Sequence, residues 1–207
     1  MKYEWRKQEK NMYLPKNNPE LIQIPPMKFF MIEGMGNPND EAFSEVIAVL
    51  YSLSYAIRMM IKSGEVPEGY FEYTVFPLEG IWDLDEEGKK KEILDKDNLV
   101  YTLMIRQPDF VTKELAESVI EKTKKKKPHE LLGKVKFGIL EDGLCVQMMH
   151  IGSYDAEPAS FKLMEKFCMD NELKRKGKNH REIYISDFRK TDPEKLNTVL
   201  RFKVFKT

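Results

Sequence analysis

The spacing of hydrophobic positions predicts alternating strands and helices along most of the chain. The apolar run "KFFMIEGMG" is closed by two glycines, which is typical of a strand that enters a turn. Apolar residues then recur every three or four positions, which predicts a long amphipathic helix that begins near Pro38 and ends at Gly64. The segments "GYFEYTVF" and "NLVYTLMI" predict two strands, with the proline- and glycine-marked "PLEGIWDLDEEG" as an excursion between them. The predicted order is β, α, β, β.

The second half of the chain repeats this order. "LCVQMMHIG" predicts a strand, and Asp155 is a candidate cap of the helix that follows. That helix has an apolar face of Phe161, Met164, Phe167 and Cys168. "HREIYIS" and "TVLRFKVF" predict a closing pair of strands. The sequence therefore predicts an internal duplication.

The duplication predicts an α+β fold made of two pseudo-symmetric β-α-β-β repeats. Its sheets would be antiparallel, with helices on one side and a ligand groove between the repeats. We expect repeats at about 27–106 and 144–206, joined by a helix at about 112–127 with Thr112 as its N-cap. Together they would form a single domain over residues 21–207, preceded by an N-terminal arm over residues 1–20. The charges, aromatic residues and prolines of the first 26 residues predict an extended arm that lies across a surface.

Composition narrows the classes of function. The 207 residues include 34 Lys plus Arg and 34 Asp plus Glu, so no net charge attracts nucleic acid or an anionic membrane. The first residues lack the apolar core of a secretory signal, which predicts a cytoplasmic location. Cys145 and Cys168 lie in apolar surroundings and are interpreted as packed thiols, with a nucleophilic cysteine as the alternative.

One strand carries an unusual carboxylate. Residues two apart share a face of a strand, so Glu182, Tyr184 and Ser186 point to one side and Ile183 and Ile185 to the other. We expect the two isoleucines to pack against the helices and Glu182 to face the groove. The alternative is a glutamate on a solvated sheet face.

An alignment of the two repeats gives Glu182 a counterpart. Superposing the predicted second strands places Phe71–Val75 over Arg181–Ile185, so that Glu72 matches Glu182. The groove would then be lined by Glu72, Thr74, Glu182 and Tyr184. An ordinary exposed glutamate is the alternative for Glu72.

Aromatic residues supply further candidates for the groove. Trp82 follows Pro77 and Gly80, where its ring could stack on a flat ligand or simply anchor a loop. Tyrosine hydroxyls or rings could come from Tyr70, Tyr101, Tyr154 and Tyr184. We interpret His150 as structural and assign no role to His129 or His180. No metal or phosphate-binding motif occurs, so we expect neither a metal nor a cofactor.

The duplicated order, "GYFEYTVFPLEGIW" and "HREIYISDF" together resemble the GyrI-like (gyrase-inhibitor-like) small-molecule-binding superfamily. The resemblance covers about residues 20–207, and no DNA-binding helix-turn-helix precedes it, which is typical of the stand-alone form. It implies an aromatic-walled groove with one glutamate at its floor, matched here by Glu182. The long helix, "PLEGIW" and "PPMKFFMIEG" look most similar to stand-alone members that hydrolyse the strained ring of cyclopropanoid DNA-alkylating natural products.

The resemblance thus implies a cofactor-independent hydrolase that detoxifies such compounds. Glu182 would deprotonate water, Tyr70 or Tyr184 would donate to the ligand carbonyl, and Trp82 would hold the flat ligand. The catalytic candidates are Glu182 and Tyr70, and the ligand-binding candidates are Glu72, Trp82, Tyr101, Tyr154 and Tyr184. One alternative is a module that binds, sequesters or senses a hydrophobic or cationic small molecule without turnover. Another is a protein partner of gyrase, for which the sequence offers no direct support. We expect no contact with nucleic acid or membrane.

Overall fold

The computed structural model describes residues 2–207 and is built of α-helices and antiparallel strands. The helices are Trp5–Gln8 (α1), Lys10–Tyr13 (α2), Glu41–Arg58 (α3), Lys113–Lys126 (α4) and Glu157–Asp170 (α5). The strands are Glu20–Ile24 (β1), Met27–Met35 (β2), Leu78–Leu84 (β3), Leu99–Gln107 (β4), Lys136–Leu140 (β5), Gly143–Ile151 (β6), Leu173–Arg175 (β7), His180–Tyr184 (β8) and Asn197–Lys206 (β9). Short 3-10 helices lie at Met60–Ser63, Gly88–Lys90, Lys96–Asn98, Glu130–Gly133, Tyr154–Ala156 and Pro193–Lys195.

The order β-α-β-β occurs twice along the chain, which confirms the predicted α+β class. Its first occurrence is β2, α3, β3 and β4, and its second is β6, α5, β8 and β9, with the short β7 inserted. The chain forms two compact units. The first unit comprises the residues up to Glu4, Met27–Leu78 and Leu84–Leu140, and the second comprises Trp5–Pro26, Glu79–Asp83 and Glu141–Thr207.

In the first unit, a long helix packs on a small antiparallel sheet. Strand β2 pairs with β4 on one side and with β5 on the other. Helix α3 begins at Glu41, slightly later than predicted, and buries Leu50, Leu53 and Ile57 on the face that packs against β2 and β4. Helix α4 begins as predicted, because the Thr112 side chain accepts a hydrogen bond from the Leu115 amide at 3.2 Å.

In the second unit, the sheet is centred on β6 and β9. Strand β6 pairs with β1 and β9, and β9 also pairs with β7 and β8. Helix α5 packs on one face of these strands through the predicted apolar stripe, which is confirmed. The core on this face comprises Val146, Met148, Met164, Cys168, Leu173, Leu200, Phe202 and Val204, with Phe161 and Phe167 packed against it.

The opposite face of this sheet is covered by the N-terminal segment. Arg201 alternates with the core residues of β9 and therefore points to this side, where its guanidinium donates to the Met12 carbonyl at 2.6 Å. Gln147 donates to the Asn11 carbonyl at 2.7 Å. The prediction of an extended arm is therefore wrong, because α1, α2 and β1 form here and Trp5 and Tyr13 are buried.

The predicted strand "GYFEYTVF" is also misplaced. Within this segment, residues 69–76, Tyr73 forms an isolated bridge with Tyr3 of the arm, in which the Tyr3 amide donates to the Glu72 carbonyl at 2.7 Å and the Thr74 amide donates to the Tyr3 carbonyl at 2.8 Å. The second strand of the first repeat is instead β3, which lies in the segment "PLEGIWDLDEEG" that was expected to be a loop between strands. Pro77 stands just before β3, at the strand entry that proline tolerates. Glu72 is consequently not the structural counterpart of Glu182.

None of the helices among residues 2–207 is long and apolar enough to cross a membrane.

Candidate functional site

The side chain of Glu182 lies on the face of the sheet that carries helix α5. Glu182 stands opposite Leu200 in the β8–β9 pair, and Leu200 belongs to the core under α5. Ile183 stands opposite Val199 and points to the side that the N-terminal segment covers. The predicted orientation of the isoleucines towards the helices is therefore wrong. Both faces of β8 are covered, so its alternation did not reveal which one carries the helix.

Three side chains hold the Glu182 carboxylate in a fixed orientation. The Tyr184 hydroxyl donates to Oε2 at 2.8 Å, and Nε2 of His180 lies 3.0 Å from Oε1. The indole N–H of Trp82 in turn donates to the Tyr184 hydroxyl at 2.8 Å. Pairing between β3 and β8 sets Trp82 opposite His180 and Gly80 opposite Glu182. Because Gly80 has no side chain, strand β3 places no side chain next to the Glu182 carboxylate at this position.

A second carboxyl lies next to Glu182. Glu157 occupies the first turn of α5, and Glu157, His180 and Glu182 each place one potential ligand atom within 4.8 Å of the others. Glu157 is 7% exposed, and burial together with the adjacent Glu182 carboxyl raises its pKa well above the usual range of a carboxyl group. Within residues 2–207 its Oε1 atom has no hydrogen-bond partner. Sequence reasoning missed both Glu157 and His180, because only the docking of α5 on β8 brings them to Glu182.

Two tyrosines form the aromatic part of this site. The Tyr154 ring stands edge-on to the Tyr184 ring at a centroid distance of 6.0 Å. Burial and the Glu182 carboxyl raise the pKa of both hydroxyls, so both stay protonated at neutral pH. Trp82 is 5% exposed, so it supports Tyr184 from within the core.

His150 links strand β6 to helix α5 through a hydrogen bond. Its Nδ1 is 2.9 Å from the Ser160 hydroxyl, and its Nε2 is 2.9 Å from the Ser153 carbonyl. Both ring nitrogens therefore have partners, in agreement with the structural role expected from the sequence.

A surface depression connects the site to solvent through His180. The His180 side chain is 22% exposed, and the Phe161 ring packs against its imidazole at 4.8 Å. The depression is lined by Pro158, Phe161, Lys162, Glu165, Arg175 and His180.

The remaining predicted site residues belong to the first unit. The Tyr70 hydroxyl donates to the Arg58 carbonyl at 3.0 Å, and Glu72 is exposed. Tyr101 packs edge-on against Phe43 and lies over Gly34, where an added Cβ would sit 2.5 Å from the tyrosine ring. The structure thus places Glu182, Tyr184, Trp82 and Tyr154 in one cluster of the second unit. Ligand roles for Tyr70, Glu72 and Tyr101 stay predictions.

A duplicated β-α-β-β fold with a carboxylate set among aromatic rings is typical of a small-molecule-binding domain. The family model of the GyrI-like small molecule binding domain matches residues 17–204. The chain therefore belongs to the GyrI-like family, as the sequence predicted.

Solved structures agree with this membership. A hydrolase from Listeria innocua is 37% identical with a TM-score of 0.89, and the match covers 99% of this chain and 100% of that one. A conserved protein from Listeria innocua, described as uncharacterized, is 39% identical with a TM-score of 0.90 and the same coverage. The C-terminal domain of EcmrR, at 16% identity and a TM-score of 0.53 over 92% of this chain and 98% of that one, shares the fold alone. A search of curated proteins finds no match.

Proposed function

We propose that the protein binds flat, hydrophobic, drug-like molecules and hydrolyses the cyclopropane ring of cyclopropanoid DNA-alkylating toxins. Membership of a small-molecule-binding family and 37% identity to a protein described as a hydrolase support this proposal. The observation that carries it is the buried Glu182 carboxylate, which is held by Tyr184 and His180 beside the Tyr154 ring. Such a group can orient and deprotonate a water molecule.

The proposed reaction adds one water to the ligand. Glu182 takes a proton from water as the oxygen attacks the ring CH₂ carbon and a C–C bond of the cyclopropane breaks. The electron pair of that bond moves through the conjugated dienone to the carbonyl oxygen. The carbonyl oxygen takes up one proton and Glu182 releases the one it took from water. The product is a phenol with a hydroxyalkyl arm, so the reaction restores aromaticity and needs no redox partner.

A hydrogen-bond donor at the carbonyl oxygen would stabilise the developing negative charge. The hydroxyls of Tyr70 and Tyr184, the two donors suggested by the sequence, already donate to the Arg58 carbonyl and to Glu182. Tyr154 is 37% exposed, lies next to Tyr184 and keeps its proton at neutral pH. We therefore assign the donor role to Tyr154.

Incubation with a cyclopropanoid alkylator, followed by mass spectrometry, tests the proposal. We expect a product heavier by one water that accumulates well beyond one equivalent of protein. Ligand recovered unchanged, at any protein concentration, would refute hydrolysis.

Binding without turnover is a second candidate, and one observation favours it. Both oxygens of Glu182 already have hydrogen-bond partners, which hold the carboxylate in place as a fixed counter-charge for a cation. In this case a lipophilic cation would bind more weakly to Glu182→Gln than to the wild-type protein. A neutral ligand of the same shape would bind to both proteins with the same affinity. Calorimetric titration of the two ligands makes this comparison.

A further inference from the structure

We propose that Glu157, His180 and Glu182 form a binding site for one divalent transition-metal cation of the Zn²⁺ class. The inference goes beyond the proposed hydrolysis, because metal binding can be measured without any organic ligand. It adds a site that sequence motifs did not indicate, since its three ligands come from two different elements, helix α5 and strand β8.

The geometry suits one small ion. Zinc bonds to histidine nitrogen and carboxylate oxygen are about 2.0–2.2 Å long, which places two ligands of the same ion about 3–3.5 Å apart. Nε2 of His180 and Oε1 of Glu182 are 3.0 Å apart. The Glu157 oxygen completes a set within 4.8 Å, so a rotamer adjustment of that side chain closes the site.

The unpaired oxygen of Glu157 is an independent indication of a missing partner. Oε1 is buried and has no hydrogen bond in the described part of the chain, although buried polar atoms are normally paired. A divalent cation would neutralise both carboxylates and coordinate the imidazole at the same time.

The surroundings are those of a metal site. Tyr184 donates to the second oxygen of Glu182, and Phe161 packs against the His180 ring, so neighbouring groups orient two of the three ligands. The His180 side chain is 22% exposed, which gives an ion access from the surface depression. Lys162 and Arg175 also line that depression. The Arg175 guanidinium is already bound to the Lys178 carbonyl at 2.6 Å.

One nitrogen and two carboxylate oxygens select the kind of metal. This donor set suits Zn²⁺, Co²⁺, Ni²⁺ and Mn²⁺, whereas Ca²⁺ and Mg²⁺ prefer ligands made of oxygen alone. A bound ion would occupy the Glu182 carboxylate, so the metal-loaded protein would lose the proposed hydrolysis.

Titration of the chelator-stripped protein with Zn²⁺ tests the inference. Calorimetry should give one saturable Zn²⁺ site per chain, and Co²⁺ should give a visible absorption band that Zn²⁺ abolishes. Glu157→Gln and His180→Ala should each weaken Zn²⁺ affinity at least about tenfold, the effect that loss of even an outer partner has. Glu165→Gln is the matched control, since Glu165 lies on the same helix and lines the same depression.

The absence of a saturable site, or equal Zn²⁺ affinity in the wild type and both variants, would overturn the inference. Circular dichroism checks that each variant is folded, and His180→Ala leaves both carboxylates in place if Glu157→Gln fails to fold. Hydrolysis is assayed separately on the chelator-treated protein. Zn²⁺ binding without hydrolysis would refute the proposed function and support the metal site, and hydrolysis without Zn²⁺ binding would do the reverse.

Discussion

At the residue scale, the site is a chain of hydrogen bonds that ends at a carboxylate. Trp82 donates to Tyr184, and Tyr184 donates to Glu182. Each donor fixes the next group, so the orientation of Glu182 depends on an indole that the sequence analysis expected to contact ligand. The indole N–H of Trp82 contacts Tyr184 in the structure, and a contact with ligand stays a prediction.

Replacing Tyr184 by Phe should destabilise the protein. The change removes the Tyr184 hydroxyl, which accepts from the Trp82 N–H at 2.8 Å and donates to Glu182 at 2.8 Å, and we expect the loss of these two bonds to cost about 1–3 kcal/mol in the free energy of unfolding. Urea denaturation measures this cost. Tyr55→Phe on the exposed side of α3 is the control and should change stability by less than about 0.5 kcal/mol. Equal effects of the two substitutions would contradict this account of the Trp82 contact.

The proton donor is tested by a pair of tyrosine variants. If Tyr154 donates to the ligand carbonyl, Tyr154→Phe should lower kcat for hydrolysis by about 10²-fold, while Tyr70→Phe should leave it nearly unchanged. The reverse result would return the donor role to Tyr70. Single-turnover kinetics separate this effect from any change in binding.

The buried thiol of Cys145 should be unreactive. Burial, assisted by Asp142, raises its pKa from 9.0 to about 11, so the thiolate fraction at pH 8 is about a hundredfold lower than for an ordinary thiol. We expect slow labelling by a disulfide reagent in the native protein and fast labelling in urea. Since the folded pKa is raised, this thiol's contribution to stability is complete below about pH 9 and declines as the pH approaches 11. Fast native labelling at Cys145 would contradict the packed-thiol interpretation.

At the element scale, amphipathic periodicity predicted the helices and central strands well. Helices α3, α4 and α5 and strands β2, β4, β6, β8 and β9 lie where the hydrophobic pattern placed them, because each has one dominant buried face or a continuous apolar run. Strand β3 was not predicted because Pro77 and Gly80 are typical of a loop. Strands β1, β5 and β7 were not predicted because they are short. Secondary structure in the arm depends on contacts with a sheet that is distant in sequence, and no local pattern reports those contacts.

Gln147 is one of the residues that couple the arm to the sheet. It accepts from Arg201 at 2.8 Å and donates to the Asn11 carbonyl at 2.7 Å. Gln147→Leu should leave the buried Arg201 guanidinium short of an acceptor, lower stability by about 1–3 kcal/mol and speed amide exchange in residues 5–13. Hydrogen-exchange mass spectrometry measures the amide exchange rates of residues 5–13. Gln23→Leu, an exposed change on β1, should leave exchange in that segment as it is.

At the scale of the whole molecule, the two compact units carry different chemistry. The second unit holds Glu157, His180 and Glu182, whereas the first unit holds an aromatic cluster of Tyr70, Phe71, Tyr73 and Phe110. The duplication could be predicted from the order of the elements, and the family from that order together with the segments "GYFEYTVFPLEGIW" and "HREIYISDF". The carboxyl pair was not, since it depends on how one helix docks on one strand.

Glu182 is the proposed base of the hydrolysis, and this role is tested by the rates of water addition to a cyclopropanoid alkylator by the wild type and by Glu182→Gln. Glutamine keeps the shape of the side chain but removes the base, so we expect multiple turnovers in the wild type and a rate lower by at least about 10²-fold in the variant. Circular dichroism and ligand binding confirm that the variant is folded. A Glu182→Gln protein that hydrolyses the compound at the wild-type rate would contradict the proposed role of Glu182.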